Sequence, residues 1–313
     1  TAFAYRSFDD QDSLAQMIQN AQFAAADPSV VAAIGGLDGK LTASALPSYA
    51  SSQLPLLVSA STAEAVTGRG YRNVFRLPTK DSTEGQLFAR FLARRAKPKY
   101  AVAVTQDGDY GPDVASGFSD QAAALGIKSE QFTFSWSSSE YDAAAKTLQA
   151  KDADYIFLCG ETKAMGPLIP ALKKAGYSGS FGASEGFFNQ LSLDKYSKEL
   201  EGAFVSTSFP PLERAPDVAN TLSDFRARAT VTALSAFAYA ATQIVISASQ
   251  RTGATNRLSM LSALQAPATY NTVVGSFQFD FRGDPIDPNL YFYAINGGSL
   301  KYTAAAHPTA FIL

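Results

Sequence analysis

The sequence holds one histidine, His307, and one cysteine, Cys159. A Ser-His-Asp or Cys-His catalytic group would have to use His307, close to the C-terminal end. A Cys/His zinc site has too few ligands, and a lone cysteine closes no intramolecular disulfide. It leaves the redox compartment open, because oxidising compartments permit disulfides without demanding them. Charge is scarce too, at 17% of residues with a formal net charge of -2. That balance offers no basic surplus to grip a polyanion, which argues against nucleic-acid binding. No stretch approaches the ~20 continuous apolar residues of a membrane span. What remains is a chain of 313 residues, 46% hydrophobic, a globular composition with length for about two domains.

Short apolar or β-branched runs alternate with longer alanine-rich amphipathic ones. The strand candidates are Ala2–Ser7, Val30–Gly35, Pro55–Ala60, Tyr100–Thr105, Gln131–Phe134, Asp154–Cys159, Ser180–Ala183 and Ala203–Ser208. Several are continuous apolar runs, the pattern of strands buried on both faces. Helix candidates lie between them: Ser13–Ala25, Thr42–Ser52, Ser82–Ala96, Val114–Leu125, Tyr141–Ala150 and Ala164–Lys174. Such alternation predicts βαβ units and parallel sheets, an α/β fold.

Local chemistry marks some boundaries. Asp81 followed by Glu84 reads as a capping box, and Leu87, Phe88, Phe91 and Leu92 then share one core-facing stripe. Lys173, Lys174 and Gly176 read as a helix end, with cations in the last turn and a glycine free to take positive φ. Pro210-Pro211 break the rhythm. After them come helix candidates Ala233–Ser249 and Leu258–Gln265, then strand-like Thr272–Asp280 and Leu290–Asn296 around the turn Gly283-Asp284-Pro285.

An α/β sheet places ligands beyond the carboxyl ends of its strands. The loops expected there are rich in Gly, Ser, Thr and carboxylates: residues 35–40, 59–62, 106–111, 160–162 and 184–186. Hydroxyls and free N–H groups suit a carboxylate, and a carboxylate suits an ammonium. Together they fit an α-amino acid.

At these loops the sequence resembles the type I periplasmic solute-binding proteins, in the branch of the leucine/isoleucine/valine-binding receptors of ABC transporters. The matching pieces, in order, are Phe8-Asp9-Asp10-Gln11, Ile34-Gly35-Gly36, Ser59-Ala60-Ser61-Thr62, Arg69-Gly70-Tyr71 with Val74-Phe75-Arg76, and Asp109-Tyr110-Gly111. Ala175-Gly176-Tyr177, Ser184-Glu185-Gly186, Glu201-Gly202 and the block Gly275 to Asp284, similar to G-x-x-x-F-D-x-x-G-D, follow. The resemblance implies two doubly wound Rossmann-like lobes joined by a hinge of three crossings, closing over a ligand. One lobe would hold residues 1–80 and 209–285, the other 81–208 and 286–313. Against the family pattern the chain opens at what looks like the second strand, so the first βα unit is expected to be missing from the sequence given.

By resemblance Glu185 receives the ligand's ammonium, Ser61 and Thr62 hold its carboxylate with Ala60 beside them in the ligand site, and Tyr110 closes on it from the other lobe. The bland alternatives are a solvated Glu185, Ser61 or Thr62 as cap of the following helix, and Tyr110 packed on a sheet edge. Asp38-Gly39-Lys40, together with Glu161 and Thr162, departs from the branched-chain binders. These residues make the pocket more polar, with Lys40 or Glu161 meeting the ligand side chain or else facing solvent. Cys159 is expected in the core, His307 on the surface, and Trp136 at a rim.

The implied function is a non-enzymatic extracytoplasmic receptor, secreted or lipid-anchored, for an amino acid or amino-acid-like solute. Its partners would be that solute and a membrane permease, with no cofactor, no metal and a monomeric state. Alternatives are a sensory ectodomain, a binder of small aromatic carboxylates, or an enzyme using Glu185 and Asp109 as a carboxylate pair.

Overall fold

The computed structural model describes residues 2–108, 110–135, 140–211, 223 and 232–312. Asp109 and Trp136 lie outside the described residues. The elements in chain order are α1 (Leu14–Ala26), β1 (Ala33–Gly35), α2 (Gly39–Ser51), β2 (Leu56–Val58), α3 (Ala65–Gly68), β3 (Val74–Arg76), α4 (Asp81–Arg95), β4 (Tyr100–Gln106), α5 (Pro112–Ala124), β5 (Lys128–Phe134), α6 (Glu140–Ala150) and β6 (Tyr155–Cys159). There follow α7 (Thr162–Met165), α8 (Leu168–Lys174), β7 (Ser180–Ala183), a 3-10 turn (Glu185–Phe187), α9 (Gln190–Tyr196), β8 (Phe204–Thr207), α10 (Ala233–Thr252), α11 (Arg257–Gln265), β9 (Tyr270–Thr272), β10 (Gly275–Phe277), β11 (Leu290–Asn296), β12 (Ser299–His307) and β13 (Ala310–Ile312). They fall into two compact units, unit 1 of residues 1–80 and 209–288, and unit 2 of residues 81–208 and 289–313.

Unit 1 is built on the parallel sheet β1-β2-β3. Successive strand side chains alternate between faces. Leu57 and Phe75 therefore pack with Phe237, Ile244 and Met260 of α10 and α11, while Leu56, Val58 and Val74 pack with Met17, Leu46 and Tyr49 of α1 and α2. The block resembling G-x-x-x-F-D-x-x-G-D closes back on β3. Arg76 N donates to Gly283 O at 2.8 Å. Gly283 has φ +88°, and a Cβ there would lie 1.8 Å from Val74 O, so only glycine fits. Asp284 then meets Arg76, whose guanidinium is fully buried.

Unit 2 contains the mixed sheet β13-β12-β11-β8-β7-β6-β4-β5. β5, β4, β6, β7 and β8 run parallel, and β11, β12 and β13 add antiparallel. Val102, Val104, Ile156 and Leu158 face one side, toward α6 and α8. Ala101, Ala103, Tyr155, Phe157 and Cys159 face the other, toward α4 and α5. Leu87, Phe88, Phe91 and Leu92 form the buried stripe of α4, each at most 1% exposed, with Phe91 stacked on Phe292 at a ring-centroid distance of 4.0 Å. The contact of α4 with α5 is glycine-tight, since a Cβ on Gly85 would lie 2.0 Å from Val114 O. As the sequence predicts, α8 ends at Lys174, with Gly176 at φ +91°. Cys159 is fully buried.

Several expectations need correction. Ala2–Ser7 forms no strand: residues 2–10 are irregular and largely exposed, Tyr5 at 77%. A strand exists only through ladder bonds to a neighbour, and alternation of apolar residues alone does not supply one. The expected helix Ala164–Lys174 is divided into α7 and α8 around Gly166-Pro167, where proline supplies no N–H. Thr272–Asp280 is a hairpin, β9 with β10, rather than one strand. The tail around His307 is itself sheet, β12 and β13, and His307 is half-buried, with its Nδ1 in a hydrogen bond with the Thr309 hydroxyl at 3.0 Å.

Candidate functional site

In unit 1 the loops after β1 and β2 lie side by side. Asp38 Oδ1 accepts from Leu41 N at 2.8 Å and so caps α2. Asp38 is therefore spent on the helix end. A Cβ on Gly39 would lie 2.5 Å from Ala63 Cβ and 3.5 Å from Ser61 Oγ, so the loops of residues 38–40 and 60–63 touch through this glycine. Ser61 N donates to Gly36 O at 2.8 Å. Its hydroxyl is buried with no hydrogen-bond partner among the described residues. Thr62 and Ala63 present their carbonyls to Arg76 Nη1, each at 2.7 Å. Ala60 and Thr62 are partly buried, and Lys40 is exposed on the first turn of α2. The expected helix cap at Ser61 or Thr62 is not formed. α3 spans only Ala65–Gly68, begins after a helical Glu64 and has no side-chain cap.

In unit 2 the loops after β6 and β7 interlock. Thr162 is buried, donates from its hydroxyl to Gly186 O at 2.8 Å and accepts from Asn189 Nδ2 at 3.0 Å. Both capacities of the hydroxyl are used, so Thr162 holds the loop of Glu185. Glu161 precedes it, exposed at the start of α7. Partial desolvation, then the charge of Glu185, push its carboxyl above the usual range. Glu185 opens the 3-10 turn after β7, and its Oε2 accepts from Ser208 N at 3.0 Å.

Glu84 is the residue that sequence reasoning misassigned. It is 1% exposed and does not reach back to cap α4. Its Oε1 accepts from Glu185 N and from Ser206 Oγ, both at 2.7 Å. Tyr110 OH donates to its Oε2 at 3.1 Å and accepts from Gly186 N at 3.3 Å. Tyr110 thus joins Glu84 to the Glu185 loop, its ring against the α4–α5 core. Burial first, then the charge of Glu185, push the Glu84 carboxyl up to about 8, against the hydrogen bonds from Ser206 and Glu185 N. Burial also raises Glu185, opposed by the backbone and hydroxyl of Ser208 and the hydroxyl of Thr207. Among the described residues no ion pair to Lys or Arg falls on Glu84, Glu161 or Glu185. No described group of three His, Cys, Asp or Glu residues is placed to hold a metal ion. No described helix is long and apolar enough to cross a membrane.

The chain belongs to the periplasmic binding protein family, whose family model matches residues 2–299. It is similar to the leucine-, isoleucine-, valine-, threonine- and alanine-binding protein of Pseudomonas aeruginosa, 23% identical over 256 residues, which cover 80% of this chain and 68% of that one. Among solved structures it is similar to a leucine binding protein from Thermotoga maritima, with a TM-score of 0.85 and 20% identity, covering 96% of this chain and 87% of that one. It is also similar to an ABC transporter substrate-binding protein from Desulfitobacterium hafniense in complex with Leu, with a TM-score of 0.83 and 24% identity, covering 96% and 88%. These likenesses give the α/β fold of type I periplasmic binding proteins.

Proposed function

We propose that this protein is the extracytoplasmic solute receptor of an ABC importer and that its ligand is an α-amino acid. The observation that carries the reading is the Glu185 carboxylate. It stands beyond the carboxyl end of a parallel strand, beside Glu84 and Glu161, with hydrogen-bond donors around it and no ion-pair partner among the described residues. A site so furnished takes a cation with hydrogens to donate, and an α-ammonium is one. A benzoate-like carboxylate would meet like charge there. Within unit 1, taken by itself, the Ser61 hydroxyl is buried with no hydrogen-bond partner among the described residues and is a donor of the kind a carboxylate needs. The partner that reads the loaded receptor is the importer's membrane permease, and the protein acts by binding, not turnover.

The test is a thermal-shift screen with the twenty standard L-amino acids and a set of aromatic carboxylates. A ligand at a hundred times its Kd stabilises the native state by about 2.7 kcal/mol. A rise in Tm with one or a few amino acids is the expected result. Stabilisation by aromatic carboxylates alone would overturn the amino-acid assignment.

A further inference from the structure

We propose that Glu84 is the positioning residue of the Glu185 site: it shares one proton with Glu185 and gives it up when an ammonium occupies the site. The inference rests on the amino-acid reading above.

One side chain on α4 fixes three pieces of the surroundings. Glu84 Oε1 holds the backbone N–H of Glu185 and the hydroxyl of Ser206 on β8, and Oε2 holds the hydroxyl of Tyr110. These partners lie 101, 122 and 26 residues away in sequence. The titratable groups facing Glu84 are Asp81 from its own helix, Tyr110 ahead of α5, Cys159 at the end of β6, and Glu185 after β7, with Glu161 acting in turn on Glu185. Each of them is neutral or acidic. Two ionised carboxylates in such a place repel with little solvent screening, so the pair keeps one proton. Glu84 is the better holder, because it is almost wholly buried. Glu185 is half-buried and receives Ser208 N–H and the hydroxyls of Ser208 and Thr207. Burial holds the Tyr110 hydroxyl far above its ordinary range, so it remains an O–H.

The balance is simple. A ligand R–NH3+ meets Glu185–COO− beside Glu84–COOH. The new positive charge favours the ionised form of Glu84, whose proton goes to solvent, and the complex then holds two carboxylates and one ammonium. Linkage fixes the sign: affinity rises with pH while binding releases a proton, by at most about tenfold per unit for one proton.

The experiment is titration calorimetry with the twenty standard L-amino acids as probes. Wild type and Glu84→Gln are compared from roughly pH 6 to pH 8, in buffers of different ionisation enthalpy. Glutamine keeps acceptors for Glu185 N–H and Ser206 but cannot titrate. The expected result is tighter binding with rising pH and proton release in wild type, and a flat profile without release in Glu84→Gln. The same pH profile and proton release in both proteins would overturn the proposal. A second arm uses ligand-free protein, by carbon-13 NMR of the glutamate carboxyls. One resonance titrating far above the usual carboxylate range, and lost in Glu84→Gln, supports the shared proton. If wild type has no such resonance, the proposal fails. If no amino acid binds wild type, the proposed function falls, while the NMR arm still decides whether Glu84 carries the proton.

Discussion

Each unit buries a charged cluster, and the two handle that charge in opposite ways. In unit 1 the guanidinium of Arg76 spends all five of its N–H groups. Nε and Nη2 donate to Asp284 Oδ1 at 2.9 and 2.7 Å, Nη2 donates also to Thr67 Oγ1, and Nη1 donates to the carbonyls of Thr62 and Ala63. Opposite charges meet and every donor is satisfied, so the cluster is complete as the chain folds. In unit 2 the buried groups are of like sign. Glu84 and Glu185 receive hydrogen bonds from Ser206, Tyr110 and Ser208 but no counter-charge among the described residues. A fold that buries charge without pairing it loses stability. The arrangement is reasonable if something from outside completes it. The first cluster is thus architecture, fastening the C-terminal block of unit 1 to β3, and the second is, in the function proposed above, a receptor for a cation.

The largest expected effect breaks the complete cluster. Arg76→Met leaves Asp284 buried and uncompensated and should cost about 3–5 kcal/mol of unfolding free energy, read by urea denaturation. A loss below about 1 kcal/mol would show that Asp284 finds water, and the contrast between the units would dissolve. Next comes Glu185→Gln. It removes the proposed counter-charge of the ligand and should weaken amino-acid binding by about 2–3 kcal/mol in calorimetry. Thermal stability should hold or rise, because a half-buried charge with no ion-pair partner among the described residues has gone. If Glu185→Gln destabilises as Arg76→Met does and leaves binding alone, Glu185 is architecture too.

How far the sequence showed this difference depends on where each signal resides. β4 and β6 are continuous apolar runs, and their buried state follows from composition. The stripe of α4 is equally plain, because helical spacing is local. β3 was not among the expected strands: it is three residues long and ends on a buried arginine, which no apolar pattern reveals. β12 carries alanines, a lysine and tyrosine, and becomes strand by pairing with β11. Glu84 is the instructive case. Three residues after Asp81 its spacing reads as a cap, yet its partners come from β8 and the loops after β4 and β7. Only tertiary structure brings them together. The place of Glu185 directly after a strand was legible, because Ser180–Ala183 reads as a strand from local pattern.

The third expectation sharpens the contrast through pH. The Glu84 carboxyl lies higher in the folded protein than in the unfolded chain. The fold therefore has the full benefit of the neutral acid below the unfolded value, and loses it as pH rises from about 4.5 toward the folded value. Glu84→Gln removes that loss. Its Tm, measured without ligand, should match wild type near pH 4 and exceed it by a few degrees near pH 8. A constant difference across that window would mean that Glu84 is ionised in the folded protein, and unit 2 would then bury two full charges.

The smallest effect belongs to Ser61. Its hydroxyl is buried, close to Gly39, and lacks a hydrogen-bond partner among the described residues. An unmet buried hydroxyl costs about 1–3 kcal/mol, so Ser61→Ala should leave stability unchanged or raise it slightly. If the hydroxyl donates to a ligand carboxylate, the same change should weaken binding by about 0.5–1.5 kcal/mol, a single neutral hydrogen bond. Tm and Kd measured on one preparation separate these outcomes. Opposite signs mean that Ser61, like Glu185, is kept for a ligand at the expense of the fold. A drop in Tm with unchanged Kd would place Ser61 with Arg76, among the groups that the fold itself requires.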